Sequence, residues 1–123
     1  MADAKLTALA AEVVNATLRS LPDDLRGPAK GVHLVYEDRA DAGLVAQGFE
    51  PDILGLFVGD CVGEGAGSLQ PMPPQIVLFV GSLWEYADRD REVFREEVRL
   101  TYLHELGHFF GWDEEEVAER GLE

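Results

Sequence analysis

The stretch His104-Glu105-Leu106-Gly107-His108 constrains this chain more than any other part of it. On an α-helix, residues four apart project about 40° from each other, so His104 and His108 share one face and can grip one ion from one side. Glu105 lies about 100° round the helix from His104, at the edge of that face. From there its carboxylate reaches a water beside the ion without being a ligand itself. This is the pattern H-E-x-x-H, in which two imidazoles hold a divalent metal and the glutamate acts as general base. A catalytic zinc takes three protein ligands and keeps one position open. The third donor must therefore come from outside this helix or from just after it.

The sequence offers donors close by. Gly111 falls where the helix should end, and glycine takes the left-handed C′ conformation that reverses a chain at little cost. Asp113, Glu114, Glu115 and Glu116 follow. The spacing H-E-x-x-H-x-x-G-x-x-E puts Glu114 where related patterns place a third ligand, and a carboxylate oxygen is an accepted zinc donor. Asp113 is the rival donor. Its other role is as N-cap of a last short helix from Glu114 to Arg120, a common use of aspartate. Zinc, one ion per chain, follows from two imidazoles and one carboxylate, a set that also suits other divalent ions.

A length of 123 residues implies a single domain over 1–123. That is enough for a modest core. Apolar residues make up 46% of the chain, which excludes a disordered class. The formal net charge of −14 repels phosphate backbones, so nucleic acid is not an expected partner. No apolar run reaches about 18 residues, so no membrane span is expected. The N-terminus lacks a basic region followed by an apolar one, so no signal peptide is expected. Cys61 is the only cysteine, which rules out an intrachain disulfide and makes the cytoplasm the expected compartment.

Along the chain, Leu6 to Leu18 carries apolar residues at helical spacing, ended by Leu21-Pro22-Asp23-Asp24. Leu25 to Lys30 reads as a short turn. Val32 to Glu37 alternates and is rich in β-formers, a strand in which His33 is an ordinary residue. Asp38 to Gln47 reads as a loop or a short helical turn. Ile53 to Val58 is a second strand, and Gly55 inside it points to a bulge or a close backbone approach. Asp60 to Pro74 is rich in glycine and proline and forms a long loop. Gln75 to Val80 is nearly all apolar, as a central strand is. The long helix runs from Arg91 to Phe110, capped by Asp88 or Asp90. Phe94, Val98, Tyr102, Leu106 and Phe109 form its core arc. Glu97, Thr101, His104 and His108 form an adjacent arc that should line a cleft. Val93, Leu100 and Leu103 add apolar surface, so the second half of the helix should be well buried.

With these elements in place, the run from Leu21-Pro22 through the three strands to HELGHFFGWDEE resembles the zincin-like metallopeptidase family, small bacterial proteins sometimes called minimal zincins. The resemblance spans roughly Glu12 to Val117. It implies an α+β fold, a small mixed sheet packed on the zinc-binding helix. It implies His104 and His108 as zinc ligands, Glu105 as general base and Glu114 as third ligand, where the family pattern more often has aspartate. It also implies a peptide or protein substrate laid along 53–58 as the edge strand, by addition of a strand. Tyr36, Tyr86, Tyr102 and Arg120 are the available oxyanion donors, with none singled out. A second resemblance is to metal-dependent ribosomal-RNA maturation endonucleases, which carry H-x-x-x-H-x-x-G-x-D-H. Gly111-Trp112-Asp113 matches its middle, but Glu114 replaces the last histidine, and the acidic charge opposes an RNA substrate. The expected function is hydrolysis of peptide bonds by a zinc-activated water with a glutamate base. The alternative class is a non-catalytic, zinc-binding acidic interaction module.

Overall fold

The computed structural model describes residues 3–59 and 73–111. Helix α1, Ala4–Ser20, opens on Asp3, whose carboxylate accepts the N–H groups of Lys5 and Leu6. Ala10, Val13, Val14 and Thr17 form its buried stripe. Leu21 ends it, and Pro22 then starts a second helix, α2, Asp23–Lys30. A short turn was the sequence expectation for this segment. The helix forms because Pro22 presets its entry, Asp23 and Asp24 meet the positive end of the helix dipole, and Arg26 pairs with Asp23. Leu25 and Ala29 bury its inner side.

Strand β1, His33–Glu37, is followed by a short helix α3, Ala42–Ala46, capped by the Asp41 carboxylate on the Leu44 N–H. Strand β2 covers Gly55–Val58 and β3 covers Gln75–Phe79. These described strands make one mixed sheet in the order β1-β3-β2. β1 runs parallel to β3, from His33 opposite Gln75 to Glu37 opposite Phe79. β2 runs antiparallel to β3, from Gly55 opposite Leu78 to Val58 opposite Gln75. β3 is therefore central, as its apolar run predicts, and Ile76, Leu78 and Phe79 are essentially fully buried. Period-two alternation puts Leu34, Tyr36, Ile76, Leu78, Gly55 and Phe57 on one face, and the apolar members of this set join the single core cluster.

The chain leaves β3 directly into helix α4, Val80–Tyr86. The sequence reading assigned no element there. Its N-cap, Phe79, makes no side-chain bond. The Asp38 carbonyl at the end of β1 accepts the Gly81 and Ser82 N–H groups instead, at 2.9 and 3.2 Å. Two left-handed residues, Asp88 and Arg89, then turn the chain into helix α5, Arg91–Phe109. Asp90 is its cap, accepting the Glu92 and Val93 N–H groups at 2.9 and 3.0 Å. This settles the choice between Asp88 and Asp90. Phe94, Val98, Tyr102, Leu106 and Phe109 are all buried, as the core arc requires. Leu103 is buried too, but Val93 in the first turn is 44% exposed and Leu100 is half-buried. α1, α4, β2 and β3 all pack on α5. Among the described residues no helix is long and apolar enough to cross a membrane.

Tyr102 is 0% exposed, and its hydroxyl has no hydrogen-bond partner among the described residues. Burial, with Tyr36 nearby, pushes its phenol up to about 12. Tyr102→Phe removes a desolvated hydroxyl and leaves the ring packing intact, so urea unfolding should show a gain of about 1 kcal/mol. By contrast, Asp90→Ala removes both cap bonds of α5 and should cost about 1 kcal/mol. Asp88→Gly should show no such loss, since glycine takes a positive φ freely.

Candidate metal centre

α5 carries its polar groups on a stripe beside the buried arc, and the last turn brings His104, Glu105 and His108 together. One donor atom from each lies within 4.8 Å of the others. The two imidazoles stand nearly perpendicular, with planes at 86° and centroids 4.9 Å apart. Their Nε2 atoms are 3.3 Å apart. At this distance one ring can donate to the other when no ion stands between them. Two nitrogens on one tetrahedral zinc, each at roughly 2.0–2.1 Å, stand about 3.3–3.4 Å apart. The observed spacing is the edge of such a tetrahedron. The donor set and its geometry therefore fit a divalent metal.

The end of α5 is built for a reversal. Phe110 is the C-cap and Gly111 takes φ +75°, the left-handed C′ conformation expected of it. The Gly111 N–H donates to the His108 carbonyl at 3.0 Å. Asp113, Glu114, Arg120 and the short helix expected over 114–120 lie outside the described residues, as does most of the glycine- and proline-rich loop with Cys61.

Glu105 is the most sheltered group of the three. Its carboxylate is largely shielded from water, and this desolvation raises its pKa above the ordinary carboxylate range. His108 and His104 pull it down, and so does the nearby backbone N–H of Phe57. That N–H is not used by β3, and among the described strands β2 lies at the edge of the sheet. Leu54 offers its carbonyl to Phe79 of β3, so by alternation Gly55 and Phe57 turn their backbone groups away from β3.

β2 lies on α5 at Gly55, which confirms the close approach expected there. A Cβ at this position would sit 2.6 Å from Thr101 Cγ2 and 3.3 Å from Glu105 Cγ. Further along, the Phe57 ring packs on Phe109 with centroids 6.0 Å apart. Beside this contact opens a cleft of about 400 Å³, lined by Ile53, Leu54, Gly55, Leu100, Thr101, His104 and Glu105. Thr101 and His104 line it as the helical arc predicts. Glu97 and His108, expected on the same arc, do not. Ile53, Leu54 and Leu100 were missed as cleft residues. The place of Leu100, one turn before His104, was the available signal; nothing in the sequence places Ile53 or Leu54 there. A larger cavity of about 580 Å³ lies between α1, Trp84 and Arg91 and contains none of the metal donors. None of the described tyrosines lines the cleft. Tyr102 is in the core, Tyr36 is half-buried in the sheet and Tyr86 is exposed on α4.

A family model described as zincin-like metallopeptidase matches residues 29–122, most of the chain. The chain belongs to that family. The matched zincin-like segment holds all three described strands, α4 and α5, and leaves α1 before it. α1 nonetheless completes the core behind the metal helix, through Ala10, Val13 and Val14. A comparison with curated proteins finds no match. Membership in a zincin-like family implies a metal, usually zinc, and the His104–Glu105–His108 group stands where the metal helix presents it.

The Gly55 contact is open to a direct test. Gly55→Ala forces a methyl onto Thr101 and should destabilise the fold by about 1–3 kcal/mol. Adding Thr101→Ser, which deletes the obstructing methyl, should recover part of that loss. A double-mutant cycle in urea would read the coupling; strict additivity would contradict the contact.

Proposed function

We propose that this chain is a zinc-dependent peptidase in which His104 and His108 hold the metal, Glu114 supplies the third donor and Glu105 moves the proton. The observation that carries the reading is the 3.3 Å spacing of the two Nε2 atoms with a shielded carboxylate beside them. When bound, zinc acidifies water and polarises a carbonyl oxygen. Glu105 accepts the proton from the water that attacks the peptide carbonyl, then delivers it to the departing amine nitrogen. A carboxylate suits both halves of that task, since a poor base cannot take the proton and a very strong one cannot return it. The narrow approach of β2 keeps bulk water from the carboxylate.

The substrate reading follows the free edge of β2. Gly55 and the Phe57 carbonyl present backbone groups that β3 does not use, and an extended peptide can pair with them as an added strand. Such a peptide lies along the strand that touches Glu105 from above. Zinc is the assigned metal because two imidazoles and a carboxylate leave one open tetrahedral position.

The test joins chemistry to metal content. Zinc-loaded wild type should cleave members of a broad peptide mixture, read by mass spectrometry. Glu105→Gln keeps the shape and the zinc and should lower the rate by about 10²–10⁴. His104→Ala and Glu114→Ala should each lower bound zinc on metal analysis. Equal inactivity of wild type and Glu105→Gln on every peptide would leave the acidic zinc-binding module as the function. Unchanged zinc in Glu114→Ala would hand the third position to Asp113.

A further inference from the structure

We propose that the cavity between α1, Trp84 and Arg91 is a binding site for a small amphipathic anion, a free medium-chain alkyl carboxylate whose tail lies along α1 and whose head meets Lys5 and Arg91. The site shares no residue with the metal centre. Arg91 and His104 stand about 20 Å apart along the axis of α5. Its occupation is independent of the peptidase reading.

The first argument is the wall. The cavity holds about 580 Å³, within the roughly 300–1,000 Å³ of small-molecule sites. Its apolar lining is Leu6, Leu9 and Trp84, each half-buried and packed on the core behind. The Trp84 indole is already held by an edge contact with Phe94, with centroids 5.7 Å apart and planes at 80°. On α1 the lining runs from Asp3 to Glu12, about 14 Å of helix. A trough of that length with that lining suits an extended alkyl chain.

The second argument is charge. The chain carries 24 acidic residues against 10 basic ones, so its cations have acids to pair with. Arg26, Arg39, Arg95 and Arg99 all do so. Lys5 and Arg91 line the cavity, and among the described residues neither side chain has an ion-pair or hydrogen-bond partner. The two acids in the same wall are engaged. The Asp3 carboxylate accepts the Lys5 and Leu6 N–H groups at 2.8 and 3.2 Å, and Glu12 pairs with Arg95 at 3.8 Å. Positive charge beside apolar surface is what remains unmatched. A monoanion with an apolar tail complements it, whereas a polyanion meets the repulsion of a net charge of −14.

The third argument is position. Arg91 lines the cavity with 3–12, while Arg95 and Arg99 lie against 13–17, so α1 and α5 run in the same direction. Arg95 faces Glu12. Arg91, one turn earlier on α5, therefore stands beside the α1 turn that holds Ala8. Lys5 lies one turn before Ala8 on the same side of α1. The two cations flank one point of the trough, and one carboxylate can accept from both.

The Trp112→Phe full chain leaves Trp84 as its one indole. Its fluorescence and Tm are followed with sodium decanoate, 1-decanol and decyltrimethylammonium, each below its micelle-forming concentration. Decanoate should shift the Trp84 emission and raise Tm, at concentrations at least about tenfold below those the other two need. Lys5→Gln combined with Arg91→Gln should weaken decanoate binding by at least about tenfold, with Tm in the absence of decanoate unchanged because both residues are exposed. Ala8→Phe, also at an exposed position, fills the trough and should abolish the response. Equal responses to acid, alcohol and cation would overturn the proposal, as would a decanoate response that the double variant leaves intact. Binding to phosphatidylglycerol vesicles with no binding of free decanoate would also overturn it, by making this face a membrane contact.

Discussion

The separation between β2 and α5 governs the site. At Gly55 the strand comes so close that even a methyl would collide with Thr101 and press on Glu105. The strand is held at that height from both sides. β3 fixes it laterally through the antiparallel ladder, and the Phe57 ring rests on Phe109 further along the helix. The contact brings the side of β2 that β3 does not use to within reach of the Glu105 carboxylate. It also sets the width of the cleft between Leu54 and Leu100.

The electrostatic state of the centre is a balance within one helical turn. Desolvation disfavours the charged form of Glu105, while two imidazoles and the Phe57 N–H favour it. Metal binding needs both imidazoles neutral, with lone pairs turned to one point. The near-perpendicular rings and their 3.3 Å nitrogen spacing show that packing around α5 already brings the donors to that separation. α1 lies outside the segment that matches the family, but Ala10, Val13 and Val14 help bury the face of α5 opposite the donors.

Much of this was legible because it is local. The core arc of α5 follows from a period of 3.6 residues, and each of its five apolar members is buried. Gly111 stops the helix with a positive φ because the residue after a C-cap needs one. β3 is central because a strand apolar on both faces must be covered on both. The unread parts share a different cause. α4 has no side-chain cap, since its first N–H groups bond to the carbonyl of Asp38, from the far end of a neighbouring strand. α2 reads as a short turn in sequence, yet a helix holds there with Pro28 inside it because Leu25 and Ala29 are buried against the core. Glu97 shares a helical arc with His104 but not the cleft, because the wall is set by where Ile53 and Leu54 lie rather than by the arc alone.

The sequence by itself determined that two histidines and a glutamate share one end of a buried helix, since residues one turn apart are neighbours whatever surrounds them. It also determined family membership, which residues 29–122 carry. Only the tertiary structure decided what those groups face. The cleft, its apolar wall and the shielding of Glu105 arise from an edge strand laid across the helix, and a contact between segments so far apart in the chain leaves no periodic trace in either one.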